Sequence, residues 1–342
     1  MRTLQQPLFT PETEWVPPDR LPDLSGHLEI AIDLETRDPN LLTMGSGSVR
    51  RDGEVVGIAV AVEGWSGYFP IAHEGGGNMD RALVLDWFEE LLHNTATKIF
   101  HNAMYDVSWI RSMGFQINGG IVDTMVAASL IDENRFSYTL DSISKDYIGM
   151  RKNEKVLKEA AKEWNRNPKA EMWKLPAPFV GEYAEQDAEM TLKLWHALQH
   201  ELTKQELWDV FNLESNLFPC LIDMKFKGVR VDIAKAQATK TQLTLTEGKL
   251  LRDIRKMVGF DVEIWAAVSI AKAFEKVNLP YDRTEKGAPS FTKNFLATHP
   301  AELPKLINQA REINKANTTF IDTIIKHEYK GRIHADINQI RS

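Results

Sequence analysis

Six polar residues, taken in chain order, have the types and spacing to do chemistry: Asp33 and Glu35, Asn102 and Asp106, Tyr183 and Asp187. The first two close the apolar run "HLEIAIDLET" (27–36) and are one residue apart. In a strand, positions i and i+2 point to the same face, so the two carboxylates stand side by side and Leu34 turns to the opposite face. Like charges that close repel and raise a pKa unless a cation lies between them. Asn102 and Asp106 lie four apart in "FHNAMYDVSWI" (100–110), at a strand-to-helix junction, and Tyr183 and Asp187 lie four apart in "EYAEQDAEMTLKLW" (182–195). That spacing places each pair on one helix face. Four carboxylates from three elements can share two divalent cations, because cations roughly 3.5–4 Å apart need shared oxygen ligands and open positions for substrate.

The elements that must carry these residues read as follows. After the first strand, "EVVGIAVAVEGWSGYFPI" (54–71) predicts two strands joined around Glu63-Gly64. "MDRALVLDWFEELLHN" (79–94) has helical spacing, and "TKIFHN" (97–102) is a short strand entering a helix that ends near Gly114. "VDTMVAASLIDE" and "YTLDSISKDYIG" predict two further helices, and a long helical region begins near Phe179. Residues 20 to about 200 are therefore expected to form an α/β layout, a sheet with an antiparallel start and helices on its faces. From about 204 strand signals nearly vanish. "ELWDVFNLESNLFPCLIDMKFKGVRVD" predicts a long helix stopped by Gly228, "AKAQATKTQLTLTEGKLLRDIRKMVGF" another, "DRTEKGAPSFT" (282–292) a polar loop, and "LPKLINQAREINKANTTFIDTIIKHEYKG" helix again.

The chain has 342 residues, enough for two domains of ordinary size, with 43% apolar and 26% charged residues. No apolar run reaches membrane-spanning length, and the N-terminus lacks the apolar core of a secretory signal, so no membrane partner is expected. The single Cys220 rules out an intrachain disulfide framework, suits a reducing cytoplasm, and is expected as a packed thiol. A net charge of −7 argues against a general nucleic-acid binder, yet local charge tells another story. Between Arg151 and Lys174 there are eight Lys/Arg against four Glu, with Trp164 and Trp173 interleaved. Such a segment suits single-stranded nucleic acid; a solvated amphipathic helix with its tryptophans in the core is the other reading.

The three motifs in this order resemble the proofreading 3′→5′ exonuclease domain of family A DNA polymerases, within the wider DEDD exonuclease superfamily. Asp33 and Glu35 match its first motif, Asn102 and Asp106 its second, Tyr183 and Asp187 its third, and the tyrosine places the chain with the DEDDy branch. "DTMVAASLIDEN" and "YTLDSISKDYIG" also look like the family's connecting segments. The resemblance implies a ribonuclease H-like exonuclease domain over 25–203, preceded by an N-terminal extension (1–24). "NLESNLFPCLIDMKFKGVRVD", "YDRTEKGAPSFT", "EINKANTTFID" and "GRIHADINQIRS" are similar to the opening helix, thumb and palm approach of the polymerase domain, implying a mostly α-helical, thumb-like region over 204–342 that stops before the palm and fingers motifs.

What the resemblance implies chemically is metal-dependent hydrolysis at a DNA 3′ end, releasing one nucleoside monophosphate at a time with two Mg²⁺ or Mn²⁺ ions. Asp33 would touch both ions, Glu35 and Asp187 would complete one site, and Asp106 would help hold the other. Tyr183 would orient the attacking water, Asn102 would support the ligand shell or substrate, and Leu41 or Leu42 would wedge against the terminal base. Partners would be single-stranded 3′ ends and primer–template, with a second polypeptide carrying palm and fingers as an option, in the cytoplasm of a bacterial or phage-infected cell. Competing readings are an RNA-trimming exonuclease with the same acids, and a binding module or half of a split polymerase that clamps primer–template without cleaving.

Other signals carry less. His196 and His200 in "WHALQHE" lack the glutamate of a zinc helix and are expected on a helix surface. "EGGGN" (74–78) lacks the Lys-Ser/Thr of a P-loop and predicts a loop before a helix. "GSGS" (45–48) predicts a mobile loop, and Asp123, Asp132 and Asp141 are expected as caps or turn residues.

Overall fold

The computed structural model describes residues 10–340. Residues 1–9 of the expected N-terminal extension and the last two residues of "GRIHADINQIRS" lie outside the described residues. The chain divides into two compact units, one running to Lys227 and including the segment from Ala335, the other Gly228–His334.

The first unit contains β1 (Glu29–Arg37), a short helix α1 (Leu41–Met44), β2 (Glu54–Val62), β3 (Trp65–Pro70), α2 (Arg81–His93), β4 (Thr97–Phe100), α3 (Ala103–Met113), β5 (Ile121–Asp123), α4 (Thr124–Ile131), α5 (Leu140–Ile148), α6 (Lys155–Glu163), α7 (Gly181–Lys204) and α8 (Trp208–Lys227). Its sheet has the order β3-β2-β1-β4-β5. The β1/β2 and β2/β3 pairs are antiparallel and the β1/β4 and β4/β5 pairs parallel, giving the expected antiparallel start. Gly64 takes the left-handed φ of +77° that the β2–β3 turn requires. Two cores cover the two faces. Ile30, Ile32 and Leu34 pack with residues of α2 and α3, while Ala31, Ala59, Ala61 and Tyr68 pack with Val180, Ala184 and Ala188 at α7. The alternation along β1 thus sends its odd positions, Asp33 and Glu35 included, toward α7. The alanines on both surfaces leave room for the helix to lie close to the sheet.

Several expectations change in detail. "VDTMVAASLIDE" opens as strand rather than helix, because Val122 and Asp123 pair with Ile99 and Phe100 before the Asp123 side chain caps α4. "GSGS" is packed rather than loose: Ser46 and Ser48 are buried, and Gly47 N–H donates to the Asp38 carboxylate. Cys220 is exposed, since the buried stripe of α8 runs through Phe218, Leu221 and Ile222 and leaves it on the other side. "EGGGN" lies against the 172–179 segment, with Glu74 N–H donating to Trp173 O and Ala177 N–H to Gly76 O. His196 lies on the surface of α7 against Glu29, and His200 is exposed.

The second unit comprises β6 (Val229–Arg230), α9 (Ile233–Val258), α10 (Ala267–Lys276), β7 (Asp282–Arg283), β8 (Pro289–Ser290), α11 (Lys293–Thr298), α12 (Glu302–Lys315), α13 (Asp322–His327), β9 (Glu328–Tyr329) and β10 (Arg332–Ile333). It is mostly helical and has its own core around Ile254, Ile270, Phe274, Phe291, Leu303 and Ile307. The expected polar loop at 282–292 folds into the small antiparallel β7/β8 ladder. A π-helical turn, Ala316–Ile321, links α12 to α13.

Candidate active site

The acids gather at the C-terminal end of β1. In the sheet register Asp33 pairs with Ala59 and Glu35 with Gly57. β4 pairs with β1 only over Glu29–Ala31, so the main chain at 33–35 is open on that side. Asp106 fills the opening: its Oδ1 accepts the Leu34 N–H at 3.0 Å. A carboxylate in the first turn of α3 also suits the positive end of the helix.

Asp106 is aimed by a residue that the sequence placed only as a cap. The Asp123 carboxylate accepts the N–H groups of Asn102 (3.0 Å), Ala103 (2.8 Å) and Met125 (2.8 Å), tying the start of α3 to the start of α4. Asn102 itself is not on the helix face with Asp106. It sits just before α3 with a left-handed φ of +68°, and its side chain makes no capping hydrogen bond. It lines a cavity of about 370 Å³ together with Leu41, Tyr105 and Asp123. Leu41 and Leu42 lie on α1 just beyond β1, 40% and 92% exposed, so each presents apolar surface to solvent beside the site.

On the opposite side α7 brings Tyr183 and Asp187. Asp187 is buried and its Oδ2 is ion-paired with Lys152 Nζ at 2.5 Å; the same ammonium lies 3.3 Å from the Tyr183 hydroxyl. The other carboxylate oxygen, Asp187 Oδ1, is buried and has no hydrogen-bond partner. Burial pushes Asp33 up to about 7, with the Asp187 charge adding to it and Lys152 opposing. Glu35 is raised by burial, then by Asp33 and Asp187. Asp106 is raised by burial and then by Asp33. Asp187 is raised by burial against the pull of Lys152. Tyr183 is raised by burial and by the same carboxylates, which keeps it a neutral phenol. Four acids thus lean on one another with a single ammonium among them, and burial makes that deficit of positive charge costly.

The donor set fits a hard divalent cation: carboxylate oxygens from three elements, one of them buried and unsatisfied. Among the described residues no group of three or more His, Cys, Asp or Glu side chains closes around one metal position; Lys152 stands at Asp187 instead. Asp33, Glu35, Asp187 and Tyr183 come together with Asp106 alongside, whereas Asn102 and the two leucines flank the site.

Sequence reasoning missed three participants. In the sequence Lys152 is one cation of a basic segment. Tyr68 pairs with Ala59 and lies under the acids, where a Cβ on Gly57 would come within 1.9 Å of its hydroxyl, so glycine is needed there. His73 Nε2 accepts that hydroxyl at 2.6 Å while Nδ1 donates to Leu175 O at 3.1 Å. No spacing rule links these positions to Asp33. In the basic segment, Trp173 is buried and Trp164 packs on Phe179 with ring centroids 5.2 Å apart, so the tryptophans serve the core. Arg37 and Lys174 nevertheless lie over the Trp173 ring at 5.0 and 4.8 Å.

Comparison with known proteins gives the family. A family model described as 3′-5′ exonuclease matches residues 19–203. A DNA-directed DNA polymerase of Pseudomonas phage M6 is 35% identical over 352 residues, covering 100% of this chain and 53% of the relative. A DNA polymerase DpoZ of Salmonella phage PMBT28 is 29% identical, covering 94% of this chain and 52% of the relative. DNA polymerase I of Pseudomonas aeruginosa is 28% identical, covering 84% and 33%. The chain therefore spans about half the length, or less, of the curated relatives it matches. The POL domain of Pol1 from M. smegmatis, solved in complex with DNA primer-template and dNTP, superposes with a TM-score of 0.69 at 16% identity over 93% of this chain and 50% of that one, a likeness of fold. With its acids ordered along β1, α3 and α7 and the family match spanning all three, the chain belongs to the 3′-5′ exonuclease family of family A DNA polymerases.

Proposed function

We propose that the first unit hydrolyses the terminal phosphodiester of DNA 3′ ends, in a divalent-cation-dependent reaction that serves proofreading. The observation that carries this reading is the grouping of Asp33, Glu35, Asp106 and Asp187 from β1, α3 and α7, with Asp187 Oδ1 buried and without a hydrogen-bond partner. Asp33, Glu35 and Asp187 would hold one cation, and Asp33 with Asp106 the other. Bound there, such ions acidify water and neutralise charge building on the phosphate. The protein's own part is positional. Asp106 fixes the end of β1 through Leu34, and Tyr183, kept as a phenol, would orient a water by hydrogen bonding at its hydroxyl. Asn102 and the exposed Leu41 and Leu42 would meet the terminal nucleotide.

Single-stranded DNA ends and primer–template are the proposed substrates, supported by relatives that carry the name DNA polymerase. A second polypeptide gains no support from relatives about twice as long. A cytoplasmic place of action goes with this reading, and no helix among the described residues is long and apolar enough to cross a membrane.

The test is digestion of a 5′-labelled single-stranded oligonucleotide with Mg²⁺, Mn²⁺ or chelator, alongside Asp33→Ala. Loss of a shared carboxylate removes several kcal/mol of transition-state stabilisation, so turnover should drop by about 10³-fold or more. A metal-dependent ladder shortening from the 3′ end and absent in the variant is expected. Near-normal turnover by Asp33→Ala would sink the assignment, and binding of primer–template without any cleavage would favour the clamp instead.

A further inference from the structure

Lys152 is not a surface lysine that happens to fall inward. Its backbone is held from two helices. Lys152 N–H donates to Asp141 Oδ1 on α5 at 2.9 Å, Asn153 N–H donates to Gln186 on α7, and Asn153 Nδ2 donates to Glu182 Oε1 at 3.1 Å. With both sides of the residue tied down, its side chain passes over the Tyr183 ring, Nζ 5.1 Å from the centroid, and ends on Asp187 Oδ2. The ammonium is also drawn by Asp33 and Glu35. Side-chain exposure of 19% against 5% for its partner means that the lysine, not the aspartate, has a way out to solvent. Its flexible stem and compact charge make an exchangeable cation.

We infer that Lys152 is a resident counter-cation of the acid cluster, holding Asp187 while the cluster is metal-free and competing with divalent cations for that carboxylate. This rests on the reading of the acids as a metal centre. Buried carboxylates without a cation would repel one another and destabilise the junction of β1 and α7, whereas one ammonium on a hinged stem neutralises part of that charge and then gives way. The consequence is a lowered affinity for the first cation, because each loading event has to displace an ion pair.

The experiment measures Mn²⁺ binding to the full chain, stripped with chelator, by electron paramagnetic resonance of free Mn²⁺, together with melting temperature in chelator. The variants are Lys152→Met, Lys152→Arg, Asp141→Ala and Asp33→Ala. Lys152→Met keeps the stem over Tyr183 and removes the charge; it should bind Mn²⁺ roughly tenfold tighter and melt lower in chelator than the unaltered chain. Lys152→Arg keeps the charge, so it should melt near the unaltered chain and bind Mn²⁺ no tighter than it does. If Lys152→Met folds only with Mn²⁺, which itself supports the inference, Asp141→Ala carries the affinity test, with a few-fold tightening expected as the Lys152 backbone is released. Mn²⁺ binding that is lost in Asp33→Ala but unchanged or weaker in Lys152→Met and Asp141→Ala would overturn the inference alone. Mn²⁺ binding by none of the proteins would overturn the metal centre, and this inference with it.

Discussion

At the acid cluster burial raises the proton affinity of Asp33, Glu35, Asp106 and Asp187, neighbouring carboxylates add to it, and Lys152 opposes it at Asp33, Glu35 and Asp187. Burial pushes Asp33 up to about 7, the Asp187 charge adds to it, and Lys152, paired with Asp187, opposes both only in part. The layer beneath solves a related problem with neutral groups. His73 donates at Nδ1 to Leu175 O and accepts the Tyr68 hydroxyl at Nε2, which leaves no place for a second proton. Burial lowers its pKa to about 4. A base whose folded pKa is depressed takes up its proton first in the unfolded chain. Its contribution to stability is therefore present above about pH 6.5 and lost as pH falls toward 4, by about 3 kcal/mol at pH 4. The expected outcome in a pH series of imidazole NMR spectra is a His73 ring that stays neutral from pH 7.5 to 5. A titration midpoint near 6.5 would show that the Tyr68–His73–Leu175 chain is not closed in solution.

At the scale of elements, the site depends on strands and helices that stop at different lengths. β4 ends early beside β1, and the main chain left open is taken by Asp106 from α3. α3 is in turn anchored by Asp123 at the end of β5, through three N–H groups from two helix starts. Asp123→Ala orphans all three at once. It should cost roughly 2–3 kcal/mol of stability by denaturant titration, and it should reduce nuclease turnover by letting Asp106 drift from Leu34. Unchanged stability would mean that the start of α3 is held by its packing alone. α7 plays the complementary part: small residues at 184 and 188 bring it down onto Ala31 and Ala59, which sets the depth of Asp187.

At the scale of the whole molecule, the chain leaves the first unit after Lys227 and rejoins it at Ala335. The returning segment is tied to α8 by Gln339 Nε2 donating to Glu214 Oε2 at 2.8 Å and by an ion pair between the buried Lys225 and Asp336 at 2.7 Å. Asp336→Ala should destabilise the first unit by about 1–2 kcal/mol, since it takes a counter-charge from a lysine with 2% exposure. Hydrogen exchange reads this as faster exchange along α8 with α9 and α12 unaffected. Equal acceleration in the second unit would show that the two cores, each closed on its own apolar residues, melt as one.

Local rules and motif order were legible in the amino-acid string. The alternation in "HLEIAIDLET" put Asp33 and Glu35 on one face with Leu34 opposed, the hairpin at Gly64 followed from its turn residues, and the three acid motifs in order identified the family. Helix and strand periods are written in neighbouring residues, so they can be read without the fold. How the motifs serve one another depends on the folded arrangement. Asn102 and Asp106 share a motif but not a helix face, because the left-handed turn at Asn102 precedes the helix. Val122 and Asp123, which open "VDTMVAASLIDE", became part of an edge strand because β4 was there to pair with them. Cys220 turned outward because α8 buries a different stripe. Lys152, one cation among eight in a basic segment, became the partner of Asp187 because α5 and α7 hold its backbone between them. Electrostatic partnership acts through space at distances of a few ångströms, and chain separation carries no record of it.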